Sequence, residues 1–318
     1  MTDAIALIAE NSTLLALWGA LAVQWLLPIP TQLHPLQIWR QLALALAARV
    51  NKPSDAPQQR RLSGLLSWSL LWLTVLVVLI CLYQLVWIDT AFHLLLLWIA
   101  LDWRNMHKFS QQFIRAYSRE DKLQCRVLLG SRLNRHTDSL SLLGLGKAGA
   151  ETLLIGYGRL AAGVLFWYAL AGGIGAILYR LAVELSRCWS PSRQQFRHFG
   201  QPATTILAVL DIVPLRLFAL LLTLGNNGKM ALRGLKQQGE NWLLPGPGWL
   251  LAAAGHKLSL SLGGPAIYDK TKMERPKLGG RIAPAAFHLS QIDRLANQRL
   301  WGWVAAQSLL LLMLQGAV

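Results

Sequence analysis

Charge is what this chain has least of. Charged residues make up 14% of its 318 positions, against about 25% in an average soluble domain. Acidic side chains are especially scarce, 15 against 31 lysines and arginines. With 54% hydrophobic residues and a mean hydropathy of +0.37, this excludes an ordinary soluble enzyme. The apolar content equally excludes a disordered chain, which lacks the surface to bury. There are only three cysteines, Cys81, Cys125 and Cys188, far apart and in no CxxC pair, so a disulfide framework or a cysteine zinc site is not expected. The chain has no GxxxxGK[ST] loop, no HExxH helix and no recognisable Ser/His/Asp setting. No solenoid repeat and no sustained strand alternation is visible.

Long uncharged runs are present instead. A spanning helix needs about 20 largely apolar residues. One such run lies between Glu10 and Arg40, and the strongest lies between Arg61 and Asp89. Leu160 to Tyr179 is a third, and Leu300 to the C-terminus a fourth. Thr90 to Leu101 is shorter and reaches only about 18 Å at helical rise. It spans only if Asp89 and Asp102 sit at the two interfaces. The first run is not a cleavable signal peptide, because Asp3 and Glu10 stand where a basic region belongs. Fourteen tryptophans suit a protein anchored at water–lipid interfaces.

Lysine and arginine placement predicts the N-terminus outside, with the loops carrying Arg40–Arg61 and Arg104–Arg159 inside. A simple span at Leu160–Tyr179 would strand Arg180, Arg187, Arg193 and Arg197 outside. Either that run folds back at Gly172–Gly173, or residues 203–224 cross back. The second run carries Asp211, Pro214 and Arg216 mid-segment and needs a protein-lined setting. Re-entrant or half-buried segments are favoured. The expected fold is an all-α, polytopic integral membrane protein with about 4–6 transmembrane or re-entrant helices. Its expected organisation is N-terminal membrane helices (1–102), a basic cytoplasmic helical region (103–152), a core with half-buried segments and glycine loops (153–299), and a C-terminal membrane helix (300–318).

Candidate chemistry is sparse. The seven histidines, at 34, 93, 107, 136, 198, 256 and 288, show no mutual metal-ligand spacing and read as interfacial or loop histidines. The +16 charge suits anionic membrane lipid, or a pocket for a phosphorylated substrate, where the planar arginine fork binds phosphate in two places. Nucleic acid is not an expected partner, because no recognition module accompanies the charge. Two glycine loops, LPGPGW (Leu244 to Trp249) and LGGPAIY (Leu262 to Tyr268), could bring backbone N–H groups near a phosphate. By spacing alone they read as helix punctuation. Glu151 before a membrane run and Arg216 inside one are sharper, since ionisable groups at membrane depth are costly.

These pieces together resemble the adenosylcobinamide-phosphate synthase family of cobalamin biosynthesis (CobD/CbiB). The resemblance runs in order along most of the chain. His34-Pro35 follows the first span, and Arg135-His136-Thr137 resembles an Arg-Asp-Thr turn. Lys147 and Glu151 then match a basic position and the glutamate of an ESLAEN block. VLFWYALAGGIGAILY (Val164 to Tyr179) is similar to a PLFW…GGxG…Y run, Phe199-Gly200 to an FG pair, and Asp211 to Leu217 to an NxxPARL motif. LPGPGW and LGGPAIY resemble the rear block. The sequence departs at Gly156 and Arg159, where the family pattern has Asn and Asp, and at VELSRCW (Val183 to Trp189), which replaces NTLDSM.

The resemblance implies an ATP-dependent amide synthesis joining adenosylcobyric acid, a corrinoid, to an aminopropanol, usually as its phosphate. ATP and Mg²⁺ are implied as cofactors on this ground alone. It also implies Glu151 and Arg216 as catalytic groups. Substrate binding would fall to His34, Arg135, Thr137, Lys147, Asp211, Gly248, Trp249, Gly263, Gly264 and Tyr268, with the metal ligands unknown. The location implied is the bacterial cytoplasmic membrane, functional face inward. The alternative is a non-catalytic membrane homologue with a sensing role, similar to the AmpE-type protein, whose spelling Val209 to Leu217 resembles.

Overall fold

The computed structural model describes residues 11–30, 33–134, 137–268 and 271–316. Twelve α-helices appear among them. They are α1 (Ser12–Leu26), α2 (Leu36–Val50), α3 (Pro57–Leu85), α4 (Asp89–Ala100), α5 (Trp103–Ser118), α6 (Lys122–Gly130), α7 (Leu142–Tyr157), α8 (Gly163–Cys188), α9 (Gln201–Thr223), α10 (Gly228–Gln238), α11 (Pro245–Lys257) and α12 (Ala286–Gly316). A wide π-type turn, Gly158–Ala162, joins α7 to α8.

Local chemistry sets many of these boundaries. Asn11, Asp121 and Ser141 cap α1, α6 and α7 by accepting backbone N–H bonds at 2.8, 2.9 and 3.2 Å, satisfying donors that a helix start leaves free. Pro28 and Pro30 stop α1 at 15 residues, so it is shorter than the uncharged run around it. Pro57 opens α3, where its missing N–H costs nothing. In α5 the buried Trp103, Met106, Phe109, Phe113 and Tyr117 recur at helical spacing, so one face packs and the other stays polar.

Three stretches are long and apolar enough to cross a membrane: Pro57–Leu85, Leu142–Cys188 and Gln201–Thr223. Only 17% of the apolar window in α3 is buried within the protein, which leaves most of that helix facing outward. The second stretch does not run straight. Ala171 (φ −139°, ψ 25°) and Gly172 (φ 59°, ψ −154°) break the helix, and Gly172 holds a conformation essentially reserved for glycine. Trp167 and Tyr179 would lie about 18 Å apart on a straight helix, yet their rings stack 6.3 Å apart. A Cβ on Gly163 would meet the Tyr179 hydroxyl at 2.3 Å. The chain therefore doubles back at Gly172, as a hairpin of two close-packed arms.

Its tip is held by Tyr168, which donates to the Thr13 carbonyl (2.6 Å), and by the Gly173 N–H, which donates to His93 Nδ1 (2.9 Å). Its base meets Asp102, which donates its N–H to the Leu160 carbonyl (3.1 Å) and pairs with Arg180 (3.4 Å). α9 begins against Trp189 and Ser186. It ends where Arg299 and Lys257 donate to the Leu224 carbonyl. Pro214 leaves the Leu210 carbonyl without its helical donor, and Trp167 Nε1 supplies one at 3.3 Å.

Tryptophans do more between helices than composition alone suggests. Trp39, Trp72 and Trp189 donate to the carbonyls of Leu181, Leu178 and Ala43 at 3.2, 3.1 and 3.0 Å. Each joins two elements, and each indole N–H gains a partner that an apolar setting would otherwise deny it. Two short antiparallel ribbons complete the fold: β1 (Ser261–Gly263) with β4 (Lys277–Gly279), and β2 (Ala266–Tyr268) with β3 (Thr271–Met273). Three-residue strands are too short to carry a readable alternation.

Candidate functional site

At the base of the hairpin lies a cavity of about 490 Å³ whose lining includes five arginines, Arg132, Arg159, Arg180, Arg187 and Arg275, and two glutamates, Glu151 and Glu184. That size suits a compact ligand. Both hairpin arms, the π turn, the loop after α6 and the β3–β4 segment converge there. The fold-back is what brings Arg159 and Arg180 to one wall.

Each glutamate is held by arginine. Glu184, fully buried, pairs with Arg180 at 2.8 Å and with Arg40 at 2.7 Å. Glu151 pairs with Arg275 at 3.2 Å and accepts the Gly263 N–H at 2.9 Å. Arg275 also donates to the Gly264 carbonyl (2.9 Å) and lies over the Trp242 ring, 5.0 Å from its centroid. Arg159 is aimed by Asp211, fully buried, whose Oδ2 takes two guanidinium contacts at 2.8 Å while Oδ1 accepts the Tyr179 hydroxyl at 2.7 Å. Neither Arg132 nor Arg187 meets a carboxylate within ion-pair distance among the described residues. The cavity is therefore an anion-attracting chamber with guanidinium groups left over.

The structure places the sequence-derived candidates as follows. Glu151 lines the cavity, and Asp211 touches it only through Arg159. His34 caps α2 by accepting the Leu36 N–H at Nδ1 (3.3 Å), close to the Arg40–Glu184–Arg180 cluster. Burial, then Arg180, hold its pKa below the ordinary histidine value. Lys147 donates to Ser261 Oγ (3.2 Å) and ties α7 to β1. Thr137 is buried and donates to the Arg126 carbonyl (3.2 Å). Arg135 lies outside the described residues. Gly263 and Gly264 both have positive φ (71° and 87°), and their polar backbone atoms serve Glu151 and Arg275. Tyr268 ends β2. Gly248 lets α11 approach the Gly239 carbonyl, which a Cβ would meet at 2.4 Å. Arg216 and Trp249 stand apart from the cavity: both contact Glu240, at 2.6 and 2.9 Å, and Arg216 lies over the Trp249 ring at 4.6 Å.

The cavity arginines were not singled out by sequence, although Arg159 and the Val183–Trp189 stretch were noted as departures from the family pattern. That coincidence was the available signal. As for a metal ion, no group of three His, Cys, Asp or Glu side chains lies together among the described residues. The cavity carboxylates are already ion-paired, so the described donor set does not fit a protein-held Mg²⁺, which takes hard oxygen ligands. It does fit phosphate oxygens.

A family model described as CobD/Cbib protein matches residues 17–296. A cobalamin biosynthesis protein CobD of Stutzerimonas stutzeri is 31% identical over 95% of this chain and 97% of its own length. One of Chromobacterium violaceum is 31% identical over 94% and 96%, and one of Klebsiella pneumoniae is 24% identical over 93% and 96%. No solved structure matches. With its apolar helices, its near-complete family match and its full-length relatives, this membrane protein belongs to the CobD/Cbib family.

Proposed function

We propose that this protein works in cobalamin biosynthesis as an adenosylcobinamide-phosphate synthase, joining adenosylcobyric acid to an aminopropanol or its phosphate at the expense of ATP. The observation that carries the reading is a cavity lined by five arginines and two glutamates. The reaction needs such a place. A corrinoid carboxylate oxygen attacks the terminal phosphorus of ATP, ADP leaves as the bridging P–O bond breaks, and a mixed anhydride with phosphate results. The amine lone pair then attacks the acyl carbon, the C–N bond forms, the C–O bond to phosphate breaks, and the amine loses a proton. Every reacting group but the amine nitrogen is anionic, and charge builds on oxygen at each step, where fixed guanidinium groups stabilise it.

Within this reading Glu151 orients the amine or takes its proton, and Arg159, Arg180 and Arg275 hold carboxylate and phosphate oxygens. The hairpin base and its arginines face the cytoplasm of the inner membrane, in keeping with the positive-inside rule, so that ATP has access. The test is complementation of a bacterium deleted for its own family synthase and dependent on cobalamin for growth. The protein should restore growth on cobyric acid, while growth on cobinamide should not require it. Failure on cobyric acid, with the protein present in the membrane, would overturn the proposal.

A further inference from the structure

Arg132 and Arg187 differ from the other cavity arginines in touching only neutral groups: Asp102 and Glu184 act on them from beyond ion-pair distance. Arg187 donates to the Ser131 carbonyl. Arg132 reaches Met106 Sδ at 3.6 Å and stacks over the Phe109 ring at 4.7 Å. Both are half-buried on the cavity wall. A guanidinium partly withdrawn from water without a contacting anion is costly, and here two stand together with Arg180 nearby. Burial pushes the Arg132 pKa down from its usual value, and Arg187 and Arg180 add to it against the opposing pull of Asp102.

The surrounding wall is built. Asn134 binds Arg193 at 2.9 Å through Oδ1, and Ser192 donates to the Asn134 carbonyl at 3.4 Å. Ser190 and Ser192 share a hydroxyl bond of 2.8 Å. Serine hydroxyls beside two forked cations offer the donors a phosphate dianion needs, in a setting that requires little rearrangement. The opposite end of the cavity differs. There Glu151, Arg275 and Trp242 close on one another, and charge is already balanced.

We infer that the Arg132–Arg187 end, with Ser190 and Ser192, is a subsite for the terminal phosphate of a small phosphorylated substrate. The rest of that molecule extends toward Glu151. This rests on the synthase reading for the identity of the substrates but not for the binding of phosphate. Two ligands share the chemistry, a phosphorylated amino alcohol and the terminal phosphate of ATP.

The experiment is isothermal titration of the purified full-length protein in detergent with aminopropanol phosphate, with unphosphorylated aminopropanol and with ATP. It is repeated for Arg132→Gln, Arg187→Gln and the milder Ser190→Ala, with the thermal midpoint of each variant recorded. Each arginine change should weaken a phosphorylated probe by about tenfold or more, and Ser190→Ala by less, with aminopropanol unaffected. Loss confined to aminopropanol phosphate assigns the subsite to the amine substrate, and loss confined to ATP assigns it to the nucleotide. Unchanged affinity for both phosphorylated probes in folded arginine variants, or in Ser190→Ala should those not fold, overturns the inference. If phosphate binding is lost while the wild type makes no amide, the subsite stands and the synthase reading falls. Amide formation with unaltered binding in the variants has the opposite meaning.

Discussion

Asp211 grips Arg159 at 2.8 Å from a position with no solvent exposure. The two residues come from different elements, α9 and the π turn before the hairpin, and Tyr179 on the returning arm closes the contact. One carboxylate thus fixes three segments and points a cation into the cavity. Asp211→Asn should destabilise the protein by about 3–5 kcal/mol, the usual result of leaving a buried charge alone. A paired Arg159→Met, Asp211→Leu variant should recover most of that stability but not product formation. Thermal unfolding in detergent beside an activity assay separates the two.

The hairpin makes its own prediction. Gly172→Ala places a Cβ 2.7 Å from the His93 ring at a φ of +59°, and should cost about 1–3 kcal/mol or more. Gly302 in α12 has nothing within 4 Å of the equivalent position. Gly302→Ala should therefore stabilise by roughly 0.5–1 kcal/mol. Midpoints shifted in the same direction by both would contradict the fold-back.

His34 predicts a pH effect. Burial and then Arg180 lower its pKa on folding, so the fold favours the neutral ring whose Nδ1 accepts the Leu36 N–H. As pH falls through about 6.5 the unfolded chain takes up the proton first. Stability is intact above that pH and declines below it, levelling once the folded ring also protonates. The thermal midpoint of the wild type should drop more between pH 7.5 and pH 5 than that of His34→Asn, whose side-chain oxygen can still cap the helix. Equal slopes would remove His34 from the account.

Glu151 and Arg216 were paired as catalytic candidates by sequence, and the structure separates them. Glu151→Gln keeps the shape of the cavity wall but removes the charge facing Arg275, and should lower product formation by at least about a hundredfold, the scale of a lost general base. Arg216→Ala, which loses the contacts to Glu240 and Trp249 away from the cavity, should lower it by less than about tenfold. Mass-spectrometric product yield at saturating substrate decides, and equal losses would return Arg216 to the site.

How much was readable follows from these residues. The membrane class rested on apolar runs and scarce charge, which are local properties. The turn at Gly172 was readable because a Gly-Gly pair interrupts an uncharged run whose simple crossing would strand four arginines. Glu151 stood out because a carboxylate before a membrane run is costly. The cavity arginines did not stand out, because Arg132, Arg159, Arg275 and the pair Arg180 and Arg187 belong to four separate stretches joined only by the fold-back and the rear ribbon. Sequence spacing carries no sign of that meeting. The role of the second glycine loop was hidden for a related reason: the Gly263 N–H serves Glu151, a partner more than a hundred positions away.

The measurement that tests the central claim most directly is product formation by the purified protein. Adenosylcobyric acid, aminopropanol phosphate, ATP and Mg²⁺ are supplied together, and mass spectrometry reads adenosylcobinamide phosphate. The account predicts product that disappears when ATP is omitted and falls sharply in Arg180→Met, a change inside the cavity. Absence of product, with a family synthase active alongside under the same conditions, would contradict it.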